Sequence, residues 1–128
     1  GYGPRIAFRG HDLHGLIHCS GGGQSKIVKF GQPGSVRGLR FVKDRLFPIP
    51  PLFALLNDAT GQSWAEMYSV YNMGHRLEAV VNESQVAACL TAAQDCRIDA
   101  QVVGRVEQRD QPGNEVVVRT AQGEFSYR

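Results

Sequence analysis

Leu16-Ile17-His18-Cys19-Ser20-Gly21-Gly22-Gly23-Gln24-Ser25-Lys26 is the stretch on which the fold turns, because an apolar, strand-like approach runs into three glycines and helix-compatible sequence follows them. Successive glycines leave main-chain N–H groups unshielded and free to take positive φ, and a helix behind them would add the positive end of its macrodipole. Two readings stand side by side, an anion cradle and a plain glycine-rich strand-to-helix turn. A P-loop is excluded by spacing, since Lys26 follows Gln24-Ser25 where that motif requires Gly-Lys. A dinucleotide fingerprint fits poorly as well: the glycines are contiguous, and Gly31, Pro33, Gly34 and Gly38 break the path to Asp44. If the loop is a cradle, Gly22→Val is expected to weaken anion binding and spare the fold.

Outward from the run, Leu13 to Cys19 reads as a strand and Gly23 to Phe30 as a helix stopped by Gly31-Gln32-Pro33-Gly34. Leu39 to Val42 is a second strand. Pro50 or Pro51 suits the first turn of a helix carrying Leu52, Phe53, Leu55 and Leu56, which Gly61 ends. Ser63 with Glu66 forms a capping box for a short helix that offers Trp64, Met67, Tyr68 and Tyr71 to a core. A strand follows through Leu77 to Val81, then a helix capped by Asn82 with Val86, Leu90 and Ala93 on one face. Ala100 to Glu107 and Glu115 to Thr120 read as strands, and Gln122-Gly123 closes a C-terminal hairpin with Phe125 and Tyr127. The order predicts an α+β fold, a layered α/β sandwich in which helices pack on a mixed sheet. Residues 1–12 read as an irregular lead-in and 13–128 as one domain.

With 128 residues, 42% hydrophobic and 20% charged, the chain has the composition of a globular domain with a real core. A net charge of +2 with dispersed basic residues does not call for nucleic acid. No apolar stretch approaches a membrane span and no signal-peptide pattern opens the chain, so the expectation is a cytoplasmic protein. Cys19, Cys89 and Cys96 form no CxxC pair, and Cys89 and Cys96 read as buried thiols too far apart along one helix for a disulfide. His11, His14 and His18 lie close together without a helical HExxH or a zinc-spaced cysteine, and no metal site is assigned. The chain starts at Gly1, which reads as an internal start.

The second informative stretch is Glu66-Met67-Tyr68-Ser69-Val70-Tyr71-Asn72-Met73-Gly74-His75-Arg76-Leu77, polar groups gathered at a helix-to-strand junction. Asn72 and Gly74 serve either their own turn or a ligand. Arg76 is either a solvated charge or a clamp on phosphate or carboxylate, and His75 is ambiguous in the same way.

Taken in order, His18-Cys19-Ser20-Gly21-Gly22-Gly23, the helix opened by Pro50-Pro51-Leu52-Phe53, and Glu66-Met67-Tyr68 to Asn72-Met73-Gly74 resemble the C-terminal domain of the aminoimidazole ribonucleotide (AIR) synthetases, the phosphoribosylformylglycinamidine cyclo-ligases. The likeness runs from about His14 to the strand around Asp99 to Val106. One departure is Arg76, which stands where most members have a second glycine, and it marks a divergent branch. The other is that the family's N-terminal domain, with most of the ATP site and the principal dimer contacts, is absent from this chain.

The resemblance implies an ATP- and Mg²⁺-dependent ligase of purine biosynthesis, a homodimer at full length. In it the formamide oxygen of formylglycinamidine ribonucleotide is phosphorylated, and an internal nitrogen displaces phosphate to close the imidazole ring. The residues 1–128 alone are expected to be inactive. Ser20, Gly21, Gly22 and Gly23 would bind substrate or nucleotide phosphate, with Asn72, His75 and Arg76 as second contributors; no catalytic residue is assigned. The alternatives are a non-catalytic ligand-binding or interaction module of the same fold, and a related ATP-using enzyme resembling the thiamine-phosphate or selenophosphate kinases.

Overall fold

The computed structural model describes residues 13–31 and 37–128. The lead-in expected over 1–12 and the stop at residues 32–34 lie outside them. Strands β1 (Leu13–His18), β2 (Leu39–Lys43), β3 (Leu77–Val81), β4 (Gly104–Gln108), β5 (Glu115–Thr120) and β6 (Gly123–Tyr127) alternate with helices α1 (Pro51–Thr60), α2 (Trp64–Val70) and α3 (Val86–Asp95). Two 3₁₀ helices, Gly23–Lys29 and Glu83–Gln85, complete the set. The chain divides into two compact units, one containing 13–16 and Glu78–Val102, the other Ile17–Leu77 and Val103–Arg128.

The second unit is built on a four-stranded sheet of order β4-β2-β5-β6. β2 runs parallel to β5, with Phe41 opposite Val116, and antiparallel to β4; β5 pairs antiparallel with β6. The mixed sheet and its helices make the chain α+β. Val116, Val117 and Val118 are all buried, the sign of a central strand covered on both faces. The first 3₁₀ helix and α2 pack together, the former also touching β5 and the latter β6. Phe30 meets Phe41 edge-on at 5.9 Å, Tyr68 stacks on Phe125 at 6.0 Å, and Tyr127 Oη donates to Ala65 O at 2.5 Å. Asn114 clamps the 3₁₀ helix to the sheet, donating through Nδ2 to Val28 O at 2.9 Å while Oδ1 accepts from Leu39 N at 2.9 Å.

The three sequence-expected end signals of α1 and α2 form locally. Pro51 occupies the first turn of α1, Gly61 ends it at φ 68°, and Ser63 Oγ accepts from Glu66 N at 3.2 Å. The strand expected from Ala100 begins only at Gly104, because its partner β2 ends at Lys43, opposite Gly104. Beyond that point Asp44 N and Arg45 N both turn onto Val103 O, and residues 100–102 have no strand to join.

In the first unit β1 and β3 form a two-stranded sheet. The helix expected from Asn82 starts with a 3₁₀ turn and becomes α-helical at Val86. Asn82 does not cap it through its side chain; Oδ1 accepts from His14 Nε2 at 2.7 Å instead. None of α3 is buried, and the two helical thiols depart from expectation: Cys96 is exposed and Cys89 half-buried. No helix among the described residues is long and apolar enough to cross a membrane.

Candidate phosphate-loop site

The glycine loop lies in the second unit, where Cys19 N donates to Arg76 O at 2.9 Å and so sets Arg76 beside the start of the loop. The turn is then closed by Gly23 N to Ser20 O at 3.1 Å and Ser25 N to Gly22 O at 3.0 Å. Its three glycines have different physical reasons. Gly23, at φ 50°, has the carbonyl oxygens of Tyr68 and Tyr71 where a Cβ would stand, so the end of α2 leaves no room for a side chain. Gly22 sits at φ 92°, in the region that L side chains avoid. Gly21 has neither constraint: it is exposed, and no atom lies within 4 Å of the place a Cβ would take. Packing accounts for two of the glycines and leaves the first unexplained.

One cation reaches this opening and a second is carried by the residue beside the start of the loop. Lys26 Nζ donates to the exposed Ser20 Oγ at 2.9 Å, and Arg76 is exposed. Among the described residues neither forms an ion pair with a carboxylate. The expected helix behind the glycines is a seven-residue 3₁₀ helix with no side-chain cap, too short and too poorly aligned to present a useful macrodipole. What the loop presents is therefore the main-chain N–H groups of Gly21 and Gly22, the Ser20 hydroxyl and the nearby cations, not a helix dipole. Gly22→Val is also the wrong probe, because a β-branched residue at φ 92° strains the backbone itself; Gly21 is the position that separates binding from folding.

Of the second contributors, Asn72 uses its side chain in its own turn, Oδ1 accepting from Gly74 N at 2.9 Å. Its carbonyl accepts twice, from His75 N at 2.9 Å and from Gln24 Nε2 at 2.7 Å. His75 is buried, its ring edge-on to Phe47 at 4.9 Å, with Nε2 accepting from Phe47 N at 3.2 Å. Burial, helped by the nearby charge of Lys43, pushes its pKa down to about 4. The imidazole is accordingly neutral at pH 7, with its proton on Nδ1, and acts as a main-chain acceptor.

Three residues that the motifs did not single out belong to this arrangement. Lys26 was visible as the cation after the glycine run. Gln24 is fully buried, and Lys43, 3% exposed, donates from Nζ to Gln24 O at 2.8 Å and Gln24 Oε1 at 2.9 Å. Nothing local distinguishes a lysine at the end of a strand from a solvated one.

A family model described as AIR synthase related protein, C-terminal domain, matches residues 3–117. Among curated proteins the chain is similar to the phosphoribosylformylglycinamidine cyclo-ligase of Lawsonia intracellularis, 24% identical over 83% of this chain and 30% of that protein. It is 31% identical to that of Thermosynechococcus vestitus over 77% of this chain and 28% of the relative. Against that of Symbiobacterium thermophilum it is 31% identical over 84% and 30% of the two chains. This chain thus spans under a third of the relatives it matches.

Proposed function

The chain belongs to the AIR synthase related C-terminal domain family, and on that footing we propose that it is the C-terminal part of an ATP-dependent cyclo-ligase of purine biosynthesis, contributing a phosphate-binding loop. The observation that carries the loop's role is Gly21, a glycine that the fold does not need, lying open between Ser20, Lys26 and Arg76. A loop that must admit a phosphate oxygen against its main chain does need it.

The proposed reaction phosphorylates the formamide oxygen of formylglycinamidine ribonucleotide and closes the imidazole ring by attack of an internal nitrogen, with phosphate leaving. Such chemistry depends on oriented N–H donors and cations more than on covalent help from the protein. Gly21 and Gly22 offer main-chain donors and Ser20 its hydroxyl, the N–H groups of Ser20 and Gly23 being spent on His18 O and Ser20 O within the turn; Lys26 and Arg76 offer charge, and Asn72 and His75 hold the adjoining turn in shape. Ser20, Lys26 and Arg76 suit phosphate oxygens and include no carboxylate for Mg²⁺. Most of the ATP and Mg²⁺ site, like the homodimer contacts, belongs in this reading to an N-terminal domain outside residues 1–128. The layered α/β arrangement, the single-domain assignment of 13–128 and a cytoplasmic setting go with it.

The test is a titration of the 128-residue chain with inorganic phosphate, followed by amide chemical shifts and calorimetry. Shifts centred on Ser20 to Gly22 and Arg76, lost in Gly21→Val while the thermal midpoint holds, are expected. Unchanged affinity in Gly21→Val removes the loop from the site. Turnover of formylglycinamidine ribonucleotide with ATP by residues 1–128 alone would show that no further domain is required.

A further inference from the structure

We infer that Lys43 is a positioning residue, which through Gln24 braces the glycine loop against the Asn72–Arg76 turn. The chain of contacts is continuous. Lys43 Nζ holds both oxygens of Gln24, the residue that directly follows Gly23, at 2.8 and 2.9 Å. With Oε1 engaged, the Gln24 amide is oriented so that Nε2 donates to Asn72 O at 2.7 Å. Asn72 in turn fixes Gly74 N and His75 N, and Arg76 O fixes Cys19 N on the other side of the glycines.

Gln24 and Lys43 are both buried, so water does not compete for these bonds. A buried lysine costs more than a buried apolar residue of the same size, and a strand end beside Val42 would accept the apolar one. What the lysine adds is a fixed distance between two loops that are 48 residues apart in sequence. Gln24 is needed at the joint because it both accepts and donates, which neither Glu nor Leu does.

This inference rests on the loop being the phosphate site, and two variants separate its failure from failure of that reading. Lys43→Met removes the ammonium at similar length. Gln24→Glu keeps an acceptor for Lys43 and loses the donor to Asn72 O. In both, amide hydrogen exchange at Gly74 and His75 is expected to accelerate about tenfold while Val116 to Val118 exchange as before, and affinity for inorganic phosphate is expected to fall about tenfold. A merely structural lysine would move core exchange and spare phosphate affinity in the folded protein. The brace is overturned if Gln24→Glu folds with parental exchange at Gly74 and His75; should Lys43→Met fail to fold, Gln24→Glu alone decides. If the parent chain binds no phosphate, the phosphate reading fails and the exchange measurements still decide the brace.

Discussion

At the turn between β4 and β5, guanidiniums converge on a carboxylate; at the glycine loop, cations stand next to donors. Glu115, whose side chain is 9% exposed, takes Arg40 Nε at 3.0 Å, Arg128 Nε at 3.3 Å and Arg109 Nη2 at 3.8 Å. Arg109 also donates to Pro112 O at 3.4 Å and to Gly113 O, so the same guanidinium closes the turn. The hydrogen bond from Arg40, ahead of the other arginines, holds the Glu115 carboxyl below its ordinary value. Lys26 and Arg76 have no such acid among the described residues, and Ser20, Gly21 and Gly22 are exposed. Positive charge is a staple where a buried acid answers it, as at Glu115, and is left open where none does among the described residues, as at Lys26 and Arg76; counting basic residues would not separate the two.

Breaking the packed side of the glycine loop should have the largest effect. Gly23→Ala drives a methyl into the Tyr68 and Tyr71 carbonyls at positive φ, and a loss of about 3 kcal/mol in urea unfolding is expected. A loss under about 1 kcal/mol would mean that the end of α2 yields easily.

Glu115→Gln tests the staple, with an expected cost of about 2 kcal/mol at pH 7 as three guanidiniums lose their acid. Because the folded carboxyl titrates below 4.5, its contribution is complete above that pH and disappears as pH falls through the folded value. The acid limb of stability against pH should therefore be shallower in the variant, and parallel limbs would remove Glu115 from the account.

His75 gives the opposite chemistry with the same direction of effect. Its pKa is 6.5 unfolded and about 4 folded, so the unfolded chain takes up the proton first. The His75 contribution to stability should decline from pH 6.5 to about 4, by about 3 kcal/mol, and level off below. His75→Gln should flatten the part of the slope above pH 5, where carboxylates are still ionised; an unchanged slope there would place its source elsewhere.

At the open loop, Lys26→Met and Arg76→Met are each expected to weaken phosphate binding about fivefold, roughly 1 kcal/mol, with urea midpoints unmoved. Equal weakening by Arg40→Met would erase the contrast between the two cation clusters. The smallest effect belongs to Gly21→Ala, whose unfolding free energy should stay within about 0.5 kcal/mol of the parent. A larger loss would give that glycine a structural reason and weaken the case for the cradle.

Much of the fold was legible from short-range signals. Pro51, Gly61 and the Ser63–Glu66 pair mark helix ends through bonds spanning a turn or less, and Val116 to Val118 read as strand. The errors fell where a partner decided the outcome. The strand expected from Ala100 shortened because β2 ended, and Asn82 was drawn from its cap to His14. The glycine run pointed to the candidate site, but which of its glycines is spare depends on α2, which begins 41 positions after Gly23.

By itself the sequence determined the α+β element order, the ordered motifs that mark the family, and the glycine run with Lys26 behind it. Tertiary structure alone decided that Gly21 is the unconstrained glycine, that His75 is a buried neutral acceptor, and that Lys43 and Gln24 tie two loops together. The division has one physical cause. Caps, turns and periodicity act over three or four residues, whereas burial, carbonyl crowding and charge pairing depend on whichever distant segments the fold brings alongside.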